Sequence, residues 1–175
     1  MVLPYKKYNF NLITWKLLTK KDISLRYVSW LNTYEVVKHT DLISKKHTLS
    51  SVKKYVSEIE KSKENYLYGI FYHTKHIGNV KVGPILSLHK TAYISYIIGD
   101  KNFWNCGLGT HVIKRIKKIC KSLHKLKKLN AGVSELHKPS QLVLTKNQFK
   151  FEGNFKKQIV FKKKRYDLLK YGCLL

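Results

Sequence analysis

Two closely spaced glycines are the sequence feature with the clearest chemical meaning. Gly107 and Gly109 lie between the apolar run "YISYIIG" and a long basic segment of helical periodicity, so a strand hands over to a helix there. The first turn of a helix exposes unpaired backbone N–H groups and the positive end of the helix dipole, and both attract phosphate. Glycine lets the backbone approach phosphate oxygens without an intervening Cβ. Residues 105–110 therefore predict a pyrophosphate-binding loop.

Two other phosphate-binding loops do not fit this segment. A Walker loop requires G-x-x-x-x-G-K-[ST], and a dinucleotide fingerprint requires G-x-G-x-x-G after the first strand of a βαβ unit. Here the sequence reads G-L-G-T-H-V and follows three successive strand-like segments. Taken alone, the two glycines could equally form a tight structural turn without a ligand.

Hydrophobic periodicity around the loop predicts a mixed α/β domain with one sheet and helices on its faces. The predicted order begins with a strand over residues 11–18, two helices spanning residues 23–31 and 52–59, and a three-stranded antiparallel meander over residues 66–98. It continues after the loop with an amphipathic helix over residues 112–123, a strand over residues 129–133, a helix over residues 138–149, and a hairpin formed by residues 159–161 and 166–169.

Composition limits the class of protein. A length of 175 residues suits one domain with one core, and we expect residues 1–175 to form it. The three dispersed cysteines indicate neither a disulfide framework nor a zinc site, and no apolar run has signal-peptide or membrane-spanning length; a cytoplasmic location fits best. The net charge of +25 predicts attraction to polyanions, although the lysines are spread along the chain and compositional bias explains them equally well.

Four segments resemble one family. The stretch "YIIGDKNFWNCGLGT" resembles the acetyl-CoA loop of GNAT N-acetyltransferases, in the branch of ribosomal-protein alanine acetyltransferases and amino-sugar acetyltransferases. Further along the branch's order, "LRYVSWLNTYEVVKHT" resembles its first helical region, "KPSQLVLTKNQFKFEG" its last helix, and "KRYDLLKYGCL" its terminal strand. The resemblance implies a GNAT-like fold: a central, mostly antiparallel sheet, helices on both faces, and a splayed strand pair that holds the cofactor.

The same resemblance implies where acetyl-CoA, as acetyl donor, would bind. Backbone groups of Ile97, Ile98 and Gly99 would pair with the pantetheine arm, and Ser140 would lie near its thiol end. Trp30 and Asn32 match the acceptor-side segment and are expected to bind the substrate. The pyrophosphate would be held by backbone amides of Asn105, Cys106, Gly107, Leu108, Gly109 and Thr110.

Acetyl transfer to an amine needs an acceptor for the amine's proton. Glu135 and His137 follow the predicted strand beside the thiol end and are the predicted catalytic residues. His89 and a water relay are alternatives. Many superfamily members carry a tyrosine as general acid on the last helix, and Leu144 occupies that position here.

These observations predict an N-acetyltransferase that works by direct attack of a primary amine in a ternary complex. The expected acceptor is an amino sugar on a nucleotide. A protein N-terminal acetyltransferase acting on a ribosomal protein, a non-catalytic basic nucleic-acid-binding module on the same fold, and a degenerate enzyme that binds acetyl-CoA as a regulatory ligand are the alternatives. We expect a monomer or homodimer without a metal site or membrane span.

Overall fold

The computed structural model describes residues 8–175, which form a seven-stranded mixed sheet in the order β1-β2-β3-β4-β5-β7-β6. The strands are β1 (Ile13–Leu17), β2 (Tyr66–Tyr72), β3 (Lys75–Leu86), β4 (Thr91–Ile98), β5 (Lys128–Ser134), β6 (Lys150–Phe161) and β7 (Lys164–Leu174). The helices are α1 (Leu25–Leu31), α2 (Tyr34–Val37), α3 (Leu49–Lys61), α4 (Leu108–Ser122) and α5 (Lys138–Lys146). Neighbouring strands are antiparallel except β4 and β5, which run parallel. The predicted fold class is confirmed.

Helices cover both faces of the sheet, because strand side chains alternate between two apolar clusters. On β4, Ile94, Tyr96 and Ile98 pack in the cluster that contains α4 and part of α5, whereas Ile97 packs against the cluster formed by α1 and α3. The alternation therefore fixes which residues of β4 can face each layer.

The long helix α4 forms because its apolar residues recur at helical spacing. Val112, Ile116 and Cys120 are fully buried, and the lysines between them lie mostly on the exposed side. Burying one such aliphatic side chain contributes about 1.5–3 kcal/mol, so this stripe holds the helix against the sheet. The helix begins within the glycine loop, at Leu108, with Gly107 as its N-cap.

The parallel pairing of β4 and β5 is short. It consists of Thr91 with Lys128, Ala92 with Leu129, and Tyr93 with Asn130. Beyond that point β4 continues to Ile98 paired with β3 alone, while β5 continues to Ser134 paired with β7 alone. The two strands diverge and form the splayed pair that the family resemblance implies.

The terminal hairpin is longer than predicted. Strands β6 and β7 contain 12 and 11 residues, whereas the sequence pattern indicated only residues 159–161 and 166–169. The strand β6 forms an edge of the sheet and is rich in lysine, a common way of protecting an edge from further pairing, so its apolar alternation is weak. Among residues 8–175, no helix combines the length and the apolar character needed to span a membrane.

Candidate active site

The glycine loop joins the end of β4 to the start of α4. Asn105 and Gly107 have φ angles of +57° and +87°, so the chain turns through the left-handed region twice. A Cβ built on Gly107 would meet nothing within 4 Å, whereas one on Gly109 would lie 3.2 Å from Val143 Cγ2. The loop is open at Gly107, and its backbone is closely packed against α5 at Gly109.

Six consecutive loop amides have no acceptor within residues 8–175. The next amide, His111 N–H, does have an acceptor: it donates to Gly107 O at 3.2 Å. A row of free donors at the positive end of a 15-residue helix fits a pyrophosphate well. The Cys106 thiol donates to Phe103 O at 3.0 Å, which turns this side chain back into the loop. The six are the predicted residues Asn105, Cys106, Gly107, Leu108, Gly109 and Thr110.

The cleft is the space between the diverging strands β4 and β5. The backbone groups of β4 that face it are in part not the ones predicted to bind the pantetheine arm. Gly99 N–H donates to Ile77 O of β3 at 2.9 Å, and Ile98 O accepts the indole N–H of Trp104 at 2.8 Å. Because backbone groups alternate in direction along a strand, Ile97 also points to β3, and the N–H groups of Tyr96 and Ile98 point to the cleft. Tyr96 was not among the predicted cofactor-binding residues.

The two predicted substrate-binding residues organise the acceptor-side segment. The indole of Trp30 is buried, with 6% of the residue exposed, and packs so closely under Gly99 that a Cβ there would overlap it. The Asn32 amide donates to Val28 O at 3.1 Å and His47 O at 2.8 Å, and it accepts His47 N–H at 2.9 Å. Both side chains thus hold α1 and the chain that follows it in place.

Glu135 follows directly after β5 and serves as a structural hydrogen-bond acceptor. Its Oε1 accepts Asp167 N–H at 2.8 Å, while its own N–H donates to Asp167 O at 3.1 Å. The carboxylate therefore extends the β5–β7 pairing by one step. Gln141 secures the same corner from α5, donating to Ser134 O at 3.1 Å and Glu135 O at 3.0 Å.

His137 lies at the N-cap of α5 beside this corner. Its Nδ1 is buried and has no hydrogen-bond partner within residues 8–175, and its ring stacks on His39 with centroids 4.5 Å apart. Burial, reinforced by His39 and Lys38, lowers the pKa of His137 to about 4. The imidazole is therefore neutral near pH 7, with a nitrogen lone pair that can accept a proton, and its lowered pKa makes it a weaker base than a solvent-exposed histidine. His39, which brings the acceptor-side segment onto His137, was missed because nothing in the sequence links it to a residue so distant in the chain.

Ser140 lies in the first turn of α5 and faces β4. The phenol of Tyr96 donates to Ser140 Oγ at 3.3 Å, and burial raises the pKa of that phenol. Leu144, one turn further along α5, is buried in the core. His89 lies instead in the exposed turn before β4, at the opposite end of that strand from the cleft.

Comparisons with known proteins agree with this geometry. Residues 13–150 match the sequence model of the acetyltransferase (GNAT) domain. A search of curated proteins found no match.

Solved structures share the whole fold at low sequence identity. The RimL ribosomal L7/L12 alpha-N-protein acetyltransferase in complex with coenzyme A superposes with a TM-score of 0.83 and 14% identity, over 93% of this chain and 94% of that one. The spermidine N-acetyltransferase of Vibrio cholerae, in complex with CoA and spermine, superposes with a TM-score of 0.84 and 14% identity, over 94% of this chain and 96% of that one. A GNAT-family acetyltransferase from Streptococcus pneumoniae superposes with a TM-score of 0.76 and 19% identity, over 93% of this chain and 99% of that one. The free loop amides and the splayed strands agree with the match to the sequence model. The chain therefore belongs to the acetyltransferase (GNAT) domain family and is an acyltransferase that uses acetyl-CoA.

Proposed function

We propose that this enzyme transfers the acetyl group to the primary amine of an anionic acceptor, an amino sugar carried on a nucleotide, by direct attack in a ternary complex. The observation that carries the proposal is a group of cations without ion-pair partners, formed by Lys38 and the β6–β7 turn, on the side of the molecule where His39 lies. It supports an acceptor of the kind used by the amino-sugar acetyltransferases that the sequence resembles.

The cations come from two segments. Lys38 lies close enough to lower the pKa of both His39 and His137. The ring of Phe161, at the end of β6, lies 6.4 Å from that of His39, centroid to centroid, and this contact brings the β6–β7 turn to the acceptor side. None of the following side chains forms an ion pair with a residue in the described part of the chain: Lys38, Lys162, Lys163, Lys164 and Arg165.

The two carboxylates at this corner offset only part of that charge, because Asp167 is already paired with Lys156 and Glu135 contributes a single negative charge. Asp167 accepts Lys156 Nζ at 3.0 Å and Lys157 N–H at 2.9 Å, and Glu135 is engaged with the backbone of Asp167. A positive surface around the acceptor site attracts a diphosphate and repels a polycation. An acceptor such as spermidine, the polyamine named for the Vibrio cholerae enzyme, is therefore disfavoured for this chain.

Each step of the reaction has a candidate group. The free amides of the glycine loop hold the pyrophosphate, and the N–H groups of Tyr96 and Ile98 supply donors along the cleft, where an oxyanion develops. His137, neutral and with a free buried nitrogen, accepts the proton of the attacking amine. Glu135 is the second candidate base, but one of its oxygens is engaged in the β5–β7 pairing.

Cofactor binding is tested first, by isothermal titration of acetyl-CoA into the wild type and into a Gly107→Asp, Gly109→Asp double variant. We expect micromolar binding that the variant abolishes, because a carboxylate at position 107 would occupy the open phosphate position and repel the phosphate, and one at position 109 would press on Val143 and distort the loop. Gly153→Asp is the matched control, since Gly153 also has a positive φ, of +145°, and open space at its Cβ. A folded wild type that does not bind acetyl-CoA would contradict the enzymatic proposal and favour the nucleic-acid-binding module. Binding without turnover of any acceptor would favour the regulatory alternative.

The acceptor is tested by mass spectrometry with UDP-linked amino sugars, ribosomal-protein N-terminal peptides and spermidine. We expect acetylation of a UDP-linked amino sugar, and a several-fold higher KM when Lys162, Lys163 and Lys164 are changed together to glutamate. The control reverses the same number of charges on α3, at Lys53, Lys54 and Lys61, which are exposed on another helix. Preferred acetylation of a peptide N-terminus would replace the amino sugar by the protein acceptor.

The base is tested by comparing His137→Asn with Glu135→Gln. We expect kcat to fall about 100-fold in the histidine variant, with acetyl-CoA affinity unchanged, because general-base catalysis contributes about this much. Glutamine can still accept the Asp167 N–H, so the glutamate variant should retain most activity if that residue is structural. The opposite order of effects would assign the base to Glu135.

A further inference from the structure

Half of the sheet face that bears α1 and α3 is left uncovered by the helices of the described chain. The apolar cluster formed by these helices takes in Leu67, Phe71 and Ile97 from β2 and β4, and among residues 8–175 it includes nothing from β5, β6 or β7. Tyr93 lies four residues before Ile97 on β4, so it points to the same side, and it is 40% exposed. This open face consists of the start of β4 together with β5, β7 and β6.

The ammonium of Lys170, on β7, is held at the centre of the open face. Its Nζ lies 4.7 Å from the ring centroid of Phe155 and 5.3 Å from that of Tyr93. The π face of an aromatic ring attracts a cation, so the two rings keep the ammonium in place. The strand partner of Lys170 on β5 is Gly132, and a Cβ there would lie 3.8 Å from Nζ.

The open face has the groups needed to bind an anion that carries an aromatic ring. Lys170 forms no ion pair with any residue of the described chain. Glu152, which lies over Gly172 on the same face, is already paired with Lys128 at 2.7 Å. Phe155 is 54% exposed, which leaves much of its ring in contact with solvent. A glycine inside a strand, such as Gly132, often marks a place where a ligand approaches the backbone closely.

The open face extends to the corner that carries the candidate base. Gly132, the strand partner of Lys170, lies two residues before Ser134 on β5, which is about 7 Å along the strand. Ser134 O accepts His137 N–H at 2.9 Å. An acceptor whose amine lies at this corner can therefore extend along the open face to Lys170 and Phe155.

We propose that the open face binds the nucleotide part of the acceptor, with a phosphate on the Lys170 ammonium and the base stacked on the ring of Phe155. This inference rests on the proposed function, because it places the rest of the same acceptor. Every nucleobase has a π face and can stack on an exposed aromatic ring. The ammonium of a lysine is a point charge that suits a phosphate. A polyamine has neither an aromatic ring nor a negative charge to match these groups.

Binding is tested with UDP as the probe. Isothermal titration is carried out with coenzyme A at saturation, so that the glycine loop cannot hold the diphosphate of UDP. We expect the Kd for UDP to rise about 5-fold or more in Phe155→Ala and about 10-fold in Lys170→Met. Phe151→Ala should leave the Kd unchanged, because Phe151 is 58% exposed on the same strand but packs against Tyr171 on the opposite face. Lys121→Met, on the exposed side of α4, is the control for the lost charge.

Turnover separates the open face from the reacting centre. In Phe155→Ala and Lys170→Met we expect the KM for a UDP-linked amino sugar to rise by the same factors with kcat unchanged. Contacts remote from the amine stabilise the bound substrate and the transition state equally, so their loss affects KM alone. The same amino sugar without its nucleotide should be acetylated equally by both variants and the wild type.

The outcomes distinguish this inference from the proposed function. A UDP-linked amino sugar acetylated with one KM by the wild type, Phe155→Ala and Lys170→Met would overturn the nucleotide site and leave the proposed function intact. A single-stranded oligouridylate bound far more tightly than UDP, and released by Phe155→Ala, would assign the open face to nucleic acid and overturn the link to the acceptor. A wild type that acetylates no nucleotide-linked sugar would contradict the proposed function, and UDP bound equally by all variants would then contradict the nucleotide site as well.

Discussion

His137 combines two properties that a surface histidine does not have. Its Nδ1 is buried without a partner in the described chain, and its ring stacks on His39. A buried polar atom without a partner is costly unless a ligand or water satisfies it. An amine donor could satisfy this nitrogen only if the acceptor-side segment moved to give access to it.

The pKa of His137 can be measured directly. We expect its imidazole to titrate at about 4 in an NMR experiment, because burial and the neighbouring His39 and Lys38 disfavour its charged form. In His39→Asn the pKa should rise towards 6.5, since one cationic neighbour is removed and the ring becomes more accessible. A wild-type value near 6.5 would show that His137 is exposed and not enclosed by the acceptor-side segment.

At the level of elements, α1 packs against the end of β4 through a close contact between Trp30 and Gly99. Trp30 lies directly under Gly99, the residue at which β4 leads into the loop. The contact sets the distance between the acceptor-side helix and the cofactor strand.

Gly99→Ala should destabilise the protein by about 1–3 kcal/mol, because its Cβ would overlap the buried indole and force α1 outward. The comparison is Gly132→Ala, whose Cβ would lie 3.3 Å from Leu168 Cδ1, the flexible end of a side chain. That control should change the free energy of unfolding by about 0.5 kcal/mol or less, measured by urea denaturation. Equal losses in the two variants would contradict a special fit at Gly99.

Local sequence patterns predicted the elements whose own periodicity matches the side on which they are buried in the fold. The meander and the amphipathic α4 follow from periodicity, and the glycine loop follows from residue type. The contacts that complete the site are not local: the Tyr96–Ser140 bond spans 44 positions, and the His39–His137 stack joins two distant segments. Glu135 and Asn32 were predicted as functional residues, but their hydrogen bonds are taken up by neighbouring chain segments, which a single sequence cannot reveal.

For the whole molecule, the histidines make folding sensitive to acid. Burial lowers the pKa of five of them from 6.5: His39, His76, His111, His124 and His137. Below about pH 6.5 the unfolded chain therefore binds more protons than the folded one, so the free energy of unfolding falls as the pH decreases.

We accordingly expect the urea midpoint to be lower at pH 5.5 than at pH 7.5. For His137 the loss should extend from the unfolded pKa of 6.5 down to about 4, so a His137→Asn variant should depend less on pH across this range. An unchanged midpoint would mean that these histidines are protonated equally in both states.

The short parallel pairing of β4 and β5 divides the sheet into two halves and limits how firmly they are held together. Three residue pairs join a four-stranded half to a three-stranded half, and the inner edges beyond Tyr93 have no partner strand. A pantetheine arm lying there would act as a short extra strand that completes the ladder. The cosubstrate would then brace the two halves of the sheet, and amide exchange should slow on both sides of the cleft when coenzyme A binds, most strongly at Tyr96 and Ile98.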